Sequence, residues 1–234
     1  PEHVPLWARA KRPRAASALT LTAAPRLAQA EVRCSMTLIL DLDGLRSACK
    51  SGQQFRYRPF YGHTGRADGQ LSDAVFSQFW PCSFVLGGQR YGFAEQWMMA
   101  SKARLFGDAE ACQRILQATA PLVCKRIGRQ VRGFDEGRWR EHRMELVTAG
   151  NVAKFEQAAA LAAYLLATGE DVLVEASPTD RIWGIGLGRE NADAKDPQRW
   201  RGQNLLGFAL IRARGILRGE LPRPTLPPIF LVAP

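Results

Sequence analysis

Two stretches of this chain concentrate side chains that can do chemistry. Residues 174–186, VEASPTDRIWGIG, set a carboxylate, a guanidinium and an indole (Asp180, Arg181 and Trp183) among apolar residues, with no surface logic. The second stretch runs from Phe76 to Lys102: Phe79-Trp80-Pro81 precedes a turn, and Ala94-Glu95-Gln96-Trp97 opens a helical segment that reaches Lys102. Acid/base groups beside aromatic platforms suit the cleavage of a bond next to a flat base. Cleaving such a bond needs developing positive charge stabilised, the departing base assisted and a water positioned, and carboxylates serve the first and third of these. Glu95 and Asp180 are the candidate carboxylates.

Each candidate has a structural competitor. Glu95 falls in the first turn of its helix, where the dipole favours a carboxylate, so it is either a site residue or a helix-stabilising charge. Asp180 follows Pro178 and is either a turn residue or a member of the site. Arg181 grips a phosphate or forms a surface ion pair, and Trp183 stacks on a base or ribose or simply packs. Lys102 holds a phosphate, serves as an acid, attacks C1′ of an opened sugar as an amine if burial lowers its pKa, or stays a solvated lysine. Trp80 and Trp97 are stacking walls or core, and Trp139, Met98 and Met99 are assigned to the core.

The elements that must position these groups follow from local pattern. Phe84-Val85-Leu86 and Gln89-Arg90-Tyr91 flank Gly87-Gly88, a hairpin signal that brings Trp80 and Glu95 near each other. Ala94 to Phe106 is helix-compatible, and seven residues separate Glu95 from Lys102, which puts them on nearly one face about 10 Å apart along the axis. Further helices are expected at 109–118, 121–128, 138–155 and 204–218. Another, at 158–168, is Ala/Leu-rich and stopped by Gly169. Asp171 to Glu175 reads as a buried strand whose end runs into Ser177-Pro178. Gly184, Gly186 and Gly188 then alternate, which would permit close backbone approach to a ligand.

The compact domain is expected to cover 71–219, preceded by an extension at 36–70 and followed by a Pro-rich, extended and mobile tail at 220–234. Residues 1–35 are Ala-, Arg- and Pro-rich, begin without Met and read as a disordered or over-extended leader ahead of Met36.

The formal net charge is +10. It rests partly on Arg9, Lys11, Arg12, Arg14, Arg26 and Arg33 in the leader, so it says less about the domain than its size suggests. Such a balance favours anionic partners, nucleic acid or a phosphorylated small molecule, while no helix-turn-helix, finger or RNA-recognition signature is present. Five scattered cysteines without a CxxC pair, and three histidines apart from them, argue against a metal site or a disulfide framework. The absence of a secretory or membrane-spanning apolar run points to a reducing, cytoplasmic setting away from membranes. Nothing in the chain sets an oligomeric state.

FSQFWPCSF, YGFAEQWMMASKA and LVEASPTDRIWGIGL resemble the blocks of the YbiA-like family, also called NADAR, over roughly Phe76 to Leu217. The resemblance implies an α+β fold: one mainly helical domain with a small β component, acting as a hydrolase of N-glycosidic bonds that needs no metal or other cofactor. Glu95 and Asp180 would be its acid/base and electrostatic groups, Lys102 stands where the family motif places a lysine, and Trp80 and Trp183 would frame the base. Arg181 and Lys102 would meet phosphate or ribose. Asn204, after Trp200-Arg201-Gly202-Gln203, resembles a W-x-G-x-N block that positions ribose hydroxyls or the loop itself. The implied substrates are phosphoribosylamino-pyrimidine intermediates of riboflavin synthesis, with release of ribose 5-phosphate. The alternatives are removal of ADP-ribose from guanine bases of nucleic acid, and a module that binds ADP-ribose or a related nucleotide without turnover.

Overall fold

The computed structural model describes residues 38–231; the expected leader at 1–35 lies outside them. Helix α1 (Leu42–Lys50) precedes strand β1 (Tyr57–Phe60), and a 3-10 turn at Asp73–Phe76 leads to the hairpin β2 (Phe84–Leu86) and β3 (Gln89–Tyr91). Helices α2 (Ala94–Leu105), α3 (Ala109–Gln117), α4 (Pro121–Gly128), α5 (Glu136–Glu156) and α6 (Ala159–Leu166) follow, then strand β4 (Val172–Glu175) and helix α7 (Leu205–Leu217). The result is the mainly helical α+β domain that the chain's pattern and resemblance imply. The Gly-Gly hairpin forms as expected, with Phe84 opposite Tyr91 and both glycines at positive φ.

Within the expected extension, whose polar, Gly-rich sequence suits irregular structure or short edge strands, residues 57–60 form a strand. Strand β1 pairs in parallel with β4, Tyr57 opposite Val172 through Phe60 opposite Glu175, so the fold begins well before the expected start at Leu71. Four residues of mixed polarity carry little strand signal on their own; the partner 115 residues later supplies the missing hydrogen bonds. The far end differs too. The described part of the Pro-rich tail folds back into a 3-10 turn at Pro228–Phe230, which buries Phe230 beside α2 and sets its ring 6.2 Å from that of His142. One aromatic anchor outweighs the extended bias of the surrounding prolines.

Helices α2 and α7 and the second half of α5 carry weak amphipathic patterns because they are buried almost all round. Trp97 settles as core: it is fully buried, and its indole Nε1 donates to the Leu146 carbonyl oxygen at 2.7 Å. The crossing of α2 and α5 is close because Gly150 faces that ring, and a Cβ there would lie 2.3 Å from Trp97 Cδ1.

The segment after β4 is held to the segment before α7 by backbone bonds. Gln203 N donates to Arg181 O, Asn204 N to Gly184 O, and Arg201 N to Ile185 O. Gly184 and Gly202 serve this closure, since a Cβ on Gly202 would meet Gly184 O at 2.3 Å and one on Gly184 would meet Glu175 O at 2.8 Å. Gly184 therefore lets backbone approach backbone, where the sequence suggests approach to a ligand. No helix among the described residues is long and apolar enough to cross a membrane.

Candidate functional site

A cavity of about 870 Å³ opens between the loop after β1, the segment before the hairpin, helices α2, α4 and α5, and the loop after β4. Glu95, Lys102, Asp180, Arg181 and Trp183 all line it, so two stretches about eighty residues apart in sequence meet in one chamber. Trp80 is not in its wall; Phe79 takes that place, and Trp80 packs half-buried with its ring end against Gly65. The turn at Ser77 gives successive side chains opposite directions, and sequence alone leaves open which of the two aromatic residues points inward.

Glu95 begins α2 on the cavity side and is buried, 3% exposed, with Oε1 lacking any hydrogen-bond partner among the described residues. Burial pushes its pKa up to about 7; the charges of Lys125 and Arg129 oppose that rise, and Asp180 adds to it. A carboxyl group poised near neutrality can hold a proton and release it to a leaving group. Glu175, at the last position of β4, is raised to about 8, first by burial and then by the charge of Asp180. Sequence reading places Glu175 at the end of a strand and assigns it no role. The omission has a cause: alternation in a four-residue strand does not reveal which face will become a cavity wall.

Asp180 is a turn residue that also faces the cavity. Its Oδ1 accepts from the backbone N–H groups of Ile182 (2.9 Å) and Trp183 (2.8 Å), and its own N–H donates to Ser177 Oγ, so the side chain shapes the turn. It also faces the cavity, close enough to raise both glutamates.

Asn204 lies outside the cavity wall, fully buried in the left-handed conformation at φ 54°. Its Oδ1 accepts from Glu175 N and its Nδ2 donates to Leu173 O, both at 2.9 Å. Of its two expected roles, holding the loop is the one the geometry favours; it fixes the strand end that carries Glu175.

Lys102 is half-buried; Nζ donates to Gly128 O at 2.8 Å and sits 4.0 Å from the centre of the Phe134 ring. Burial lowers its pKa, and the charge of Glu136 works against that. Trp139, Met98 and Met99 are buried as expected, yet they also form part of the cavity wall. Lys125 on α4 and Arg129, its C-terminal cap residue, also line the cavity; they are four residues apart and so share a face. Neither has a carboxylate within salt-bridge distance among the described residues.

Behind the wall, Lys154 is fully buried and donates to Val75 O (2.6 Å) and Ser77 O (2.8 Å), while Asn151 accepts from Gln78 Nε2 at 3.0 Å. Gln78 O in turn accepts from Glu95 N at 2.9 Å, so α5 braces the segment that anchors Glu95. Burial lowers the Lys154 pKa to about 7. A folded-state pKa below the unfolded one means that the unfolded chain binds more protons between about 7 and 10.5, and the wild type gains stability as pH rises through that window. Lys154→Met leaves two buried carbonyls without a donor. Urea unfolding is expected to show a loss of roughly 2 kcal/mol at pH 9 and a smaller one at pH 6, where the wild type still carries the buried charge.

Among the described residues no group of three or more His, Cys, Asp or Glu side chains is arranged to hold a metal ion. The site offers carboxyl groups, cations and aromatic faces, which can bind a phosphorylated, base-bearing sugar and move protons around it.

Comparison with known proteins agrees with this reading of the fold. N-glycosidase R617 of Acanthamoeba polyphaga mimivirus is 41% identical over 155 residues, spanning 64% of this chain and 91% of that protein. Riboflavin biosynthesis protein VVA0006 of Vibrio vulnificus (strain YJ016) is 30% identical over 146 residues, 62% of this chain and 36% of that protein. The NMR structure of the E. coli protein YbiA matches with a TM-score of 0.57 and 27% identity, over 72% of this chain and 88% of that one. The profile of the NADAR domain matches residues 60–218, two-thirds of the chain. The chain belongs to the NADAR domain family.

Proposed function

We propose that this chain is an N-glycosidase that hydrolyses the bond between an anionic ribosyl group and a nitrogen of a planar base. The observation that carries the proposal is the pair of raised carboxyl groups facing one cavity: Glu95, about 7, with an unpartnered oxygen, and Glu175, about 8. Glu95 would donate a proton to the departing nitrogen. Asp180, held in place by two backbone N–H groups, would stabilise positive charge growing at C1′, and Trp183 and Phe79 would flank the base. A pocket that only binds phosphorylated ligands has no use for three carboxyl side chains gathered at one wall. Among possible substrates, phosphoribosylamino-pyrimidine intermediates of riboflavin synthesis fit best, in keeping with the name of the Vibrio relative.

A second reading has its own observation. The cavity lies in the upper part of the range of about 300–1,000 Å³ typical of small-molecule sites, and its mouth carries the exposed side chains Tyr61, Phe134 and Ile182. Such a rim suits a larger substrate, an ADP-ribosylated guanine within nucleic acid. Release of ribose 5-phosphate from the two riboflavin intermediates, run beside an ADP-ribosylated guanine oligonucleotide, separates the readings. Turnover of the intermediates is the expected result. Activity on the oligonucleotide alone moves the function to ADP-ribose removal, and inactivity on all three substrates overturns the N-glycosidase reading. Lys102 offers a second chemical route through addition of its amine to C1′ of a ring-opened sugar. Borohydride added during turnover would fix a sugar on Lys102 by that route and leave the chain mass unchanged if water attacks directly.

A further inference from the structure

Arg143 is a buried guanidinium with loosely held partners. It is 5% exposed, lines the cavity, and shares one face of α5 with Glu136 and Trp139, seven and four residues before it. Nη1 reaches Glu136 Oε1 at 3.3 Å and Nη2 reaches Gln203 Oε1 at 3.2 Å; its remaining N–H groups have no acceptor among the described residues. Both contacts are long for a charge-assisted bond, which is usually about 2.7–2.9 Å. Glu136 is itself half exposed at the head of α5, free to move without disturbing the core. A buried guanidinium facing a cavity, served by one long contact to a movable carboxylate and one to an amide, is poorly compensated. It is set up to take a better anion.

We propose that Arg143, in the cavity wall, and the exposed Gln203 beside it form an anion subsite at the edge of the cavity, distinct from the cations Lys125 and Arg129, and that Glu136 is its resident counter-ion, displaced when the phosphate of the substrate enters. Two properties of the wall support this. The charges of Lys125, Arg129 and Asp180 act on Glu95, whereas those of Glu136 and Arg140 act on Arg143. Gln203 is held by its backbone bond to Arg181 O, which ties the subsite to the loop carrying Asp180 and Trp183. A ribosyl phosphate seated on Arg143 would leave its C1′ end free to extend toward the carboxyl groups. Glu136 would then turn from Arg143 to the solvent or toward Lys102, on which its charge already acts.

The inference rests on the proposed function for the identity of the phosphate, but its test does not require turnover. Binding of ribose 5-phosphate, inorganic phosphate and unphosphorylated ribose to the full chain is measured by calorimetry. Glu136→Gln is expected to tighten ribose 5-phosphate and phosphate several-fold, because the competing carboxylate is gone and the half-exposed side chain contributes little to folding. Arg143→Gln is expected to weaken both roughly 10- to 100-fold, the range for a charged hydrogen-bonded contact, with ribose unchanged in each variant. Arg143→Lys, which keeps charge without the fork, should fall between wild type and Arg143→Gln. Unchanged or weaker phosphate binding in Glu136→Gln overturns the proposal, and that variant decides the matter even if Arg143→Gln fails to fold. Equal weakening of ribose and ribose 5-phosphate in Arg143→Gln also overturns it. Phosphate binding that follows these signs in a protein without N-glycosidase turnover would sink the proposed activity and leave the subsite standing.

Discussion

Glu95→Gln is expected to lower turnover by about 10³-fold, within the range for loss of a positioned general acid, and at the same time to make the protein more stable at alkaline pH. The two effects share one cause. Burial raises the Glu95 pKa from 4.5 to about 7, so the folded chain binds more protons than the unfolded chain between those values. Stability in the wild type therefore falls as pH rises from about 4.5 to about 7 and stays lower above that. The shift corresponds to about 3 kcal/mol at pH 8. Part of the gain on removing the charge is lost because the amide's own donors are also buried. A net stabilisation of about 2 kcal/mol is expected at pH 8 and none at pH 4, read from thermal or urea unfolding at both. The same group sets the rate profile: kcat/KM of the wild type is expected to decline as pH rises through about 7, as the proton needed by the leaving nitrogen is lost. A variant that loses activity without gaining stability at pH 8 would make Glu95 an ordinary structural carboxylate. A wild-type rate that climbs through pH 7 would recast it as a base.

Asn204→Ala is expected to damage fold and site together. The side chain satisfies one backbone N–H and one backbone carbonyl of β4, and each unmatched buried group costs about 1–3 kcal/mol. Alanine also tolerates the left-handed conformation at φ 54° less well than asparagine does. A loss of roughly 3–4 kcal/mol in urea unfolding is expected, with kcat falling more than KM rises because Glu175 loses its anchored position. Glycine at 204 would relieve the backbone and still leave β4 unpaired. Asn204→Gly is therefore expected to recover part of the stability and little of the rate. Recovery of full activity in Asn204→Gly would show that the side chain is not what positions Glu175.

Part of this site could be read from the sequence because its evidence is local. The ASPTDRIWGIG run forms a turn that Asp180 itself organises through bonds to residues two and three positions ahead, so its residue types imply its geometry. Glu95 and Lys102 share a face of α2 by helical spacing alone, and both reach the same cavity. The Gly-Gly hairpin and the helix boundaries follow from turn chemistry and propensity in the same way.

Other features depend on partners far away in the chain. Whether Phe79 or Trp80 faces the cavity depends on how Lys154 and Asn151 of α5 hold the segment from Val75 to Gln78, some seventy residues upstream. Strand β1 exists because β4 supplies its hydrogen bonds, and Phe230 is buried because α2 offers it a place. Glu175, Arg143 and Asn204 look unremarkable one at a time; their environments are assembled by the packing of β4, α5 and α7.

By itself the sequence determined the hairpin and most of the helices, the family blocks and the grouping of carboxylates with aromatic residues. Tertiary structure alone decided which carboxyl groups are desolvated, which cations stand free and which aromatic side chains face inward. The physical reason is that periodicity and turn preference act over a few bonds, whereas desolvation and charge pairing depend on everything within several ångströms, whatever its place in the chain.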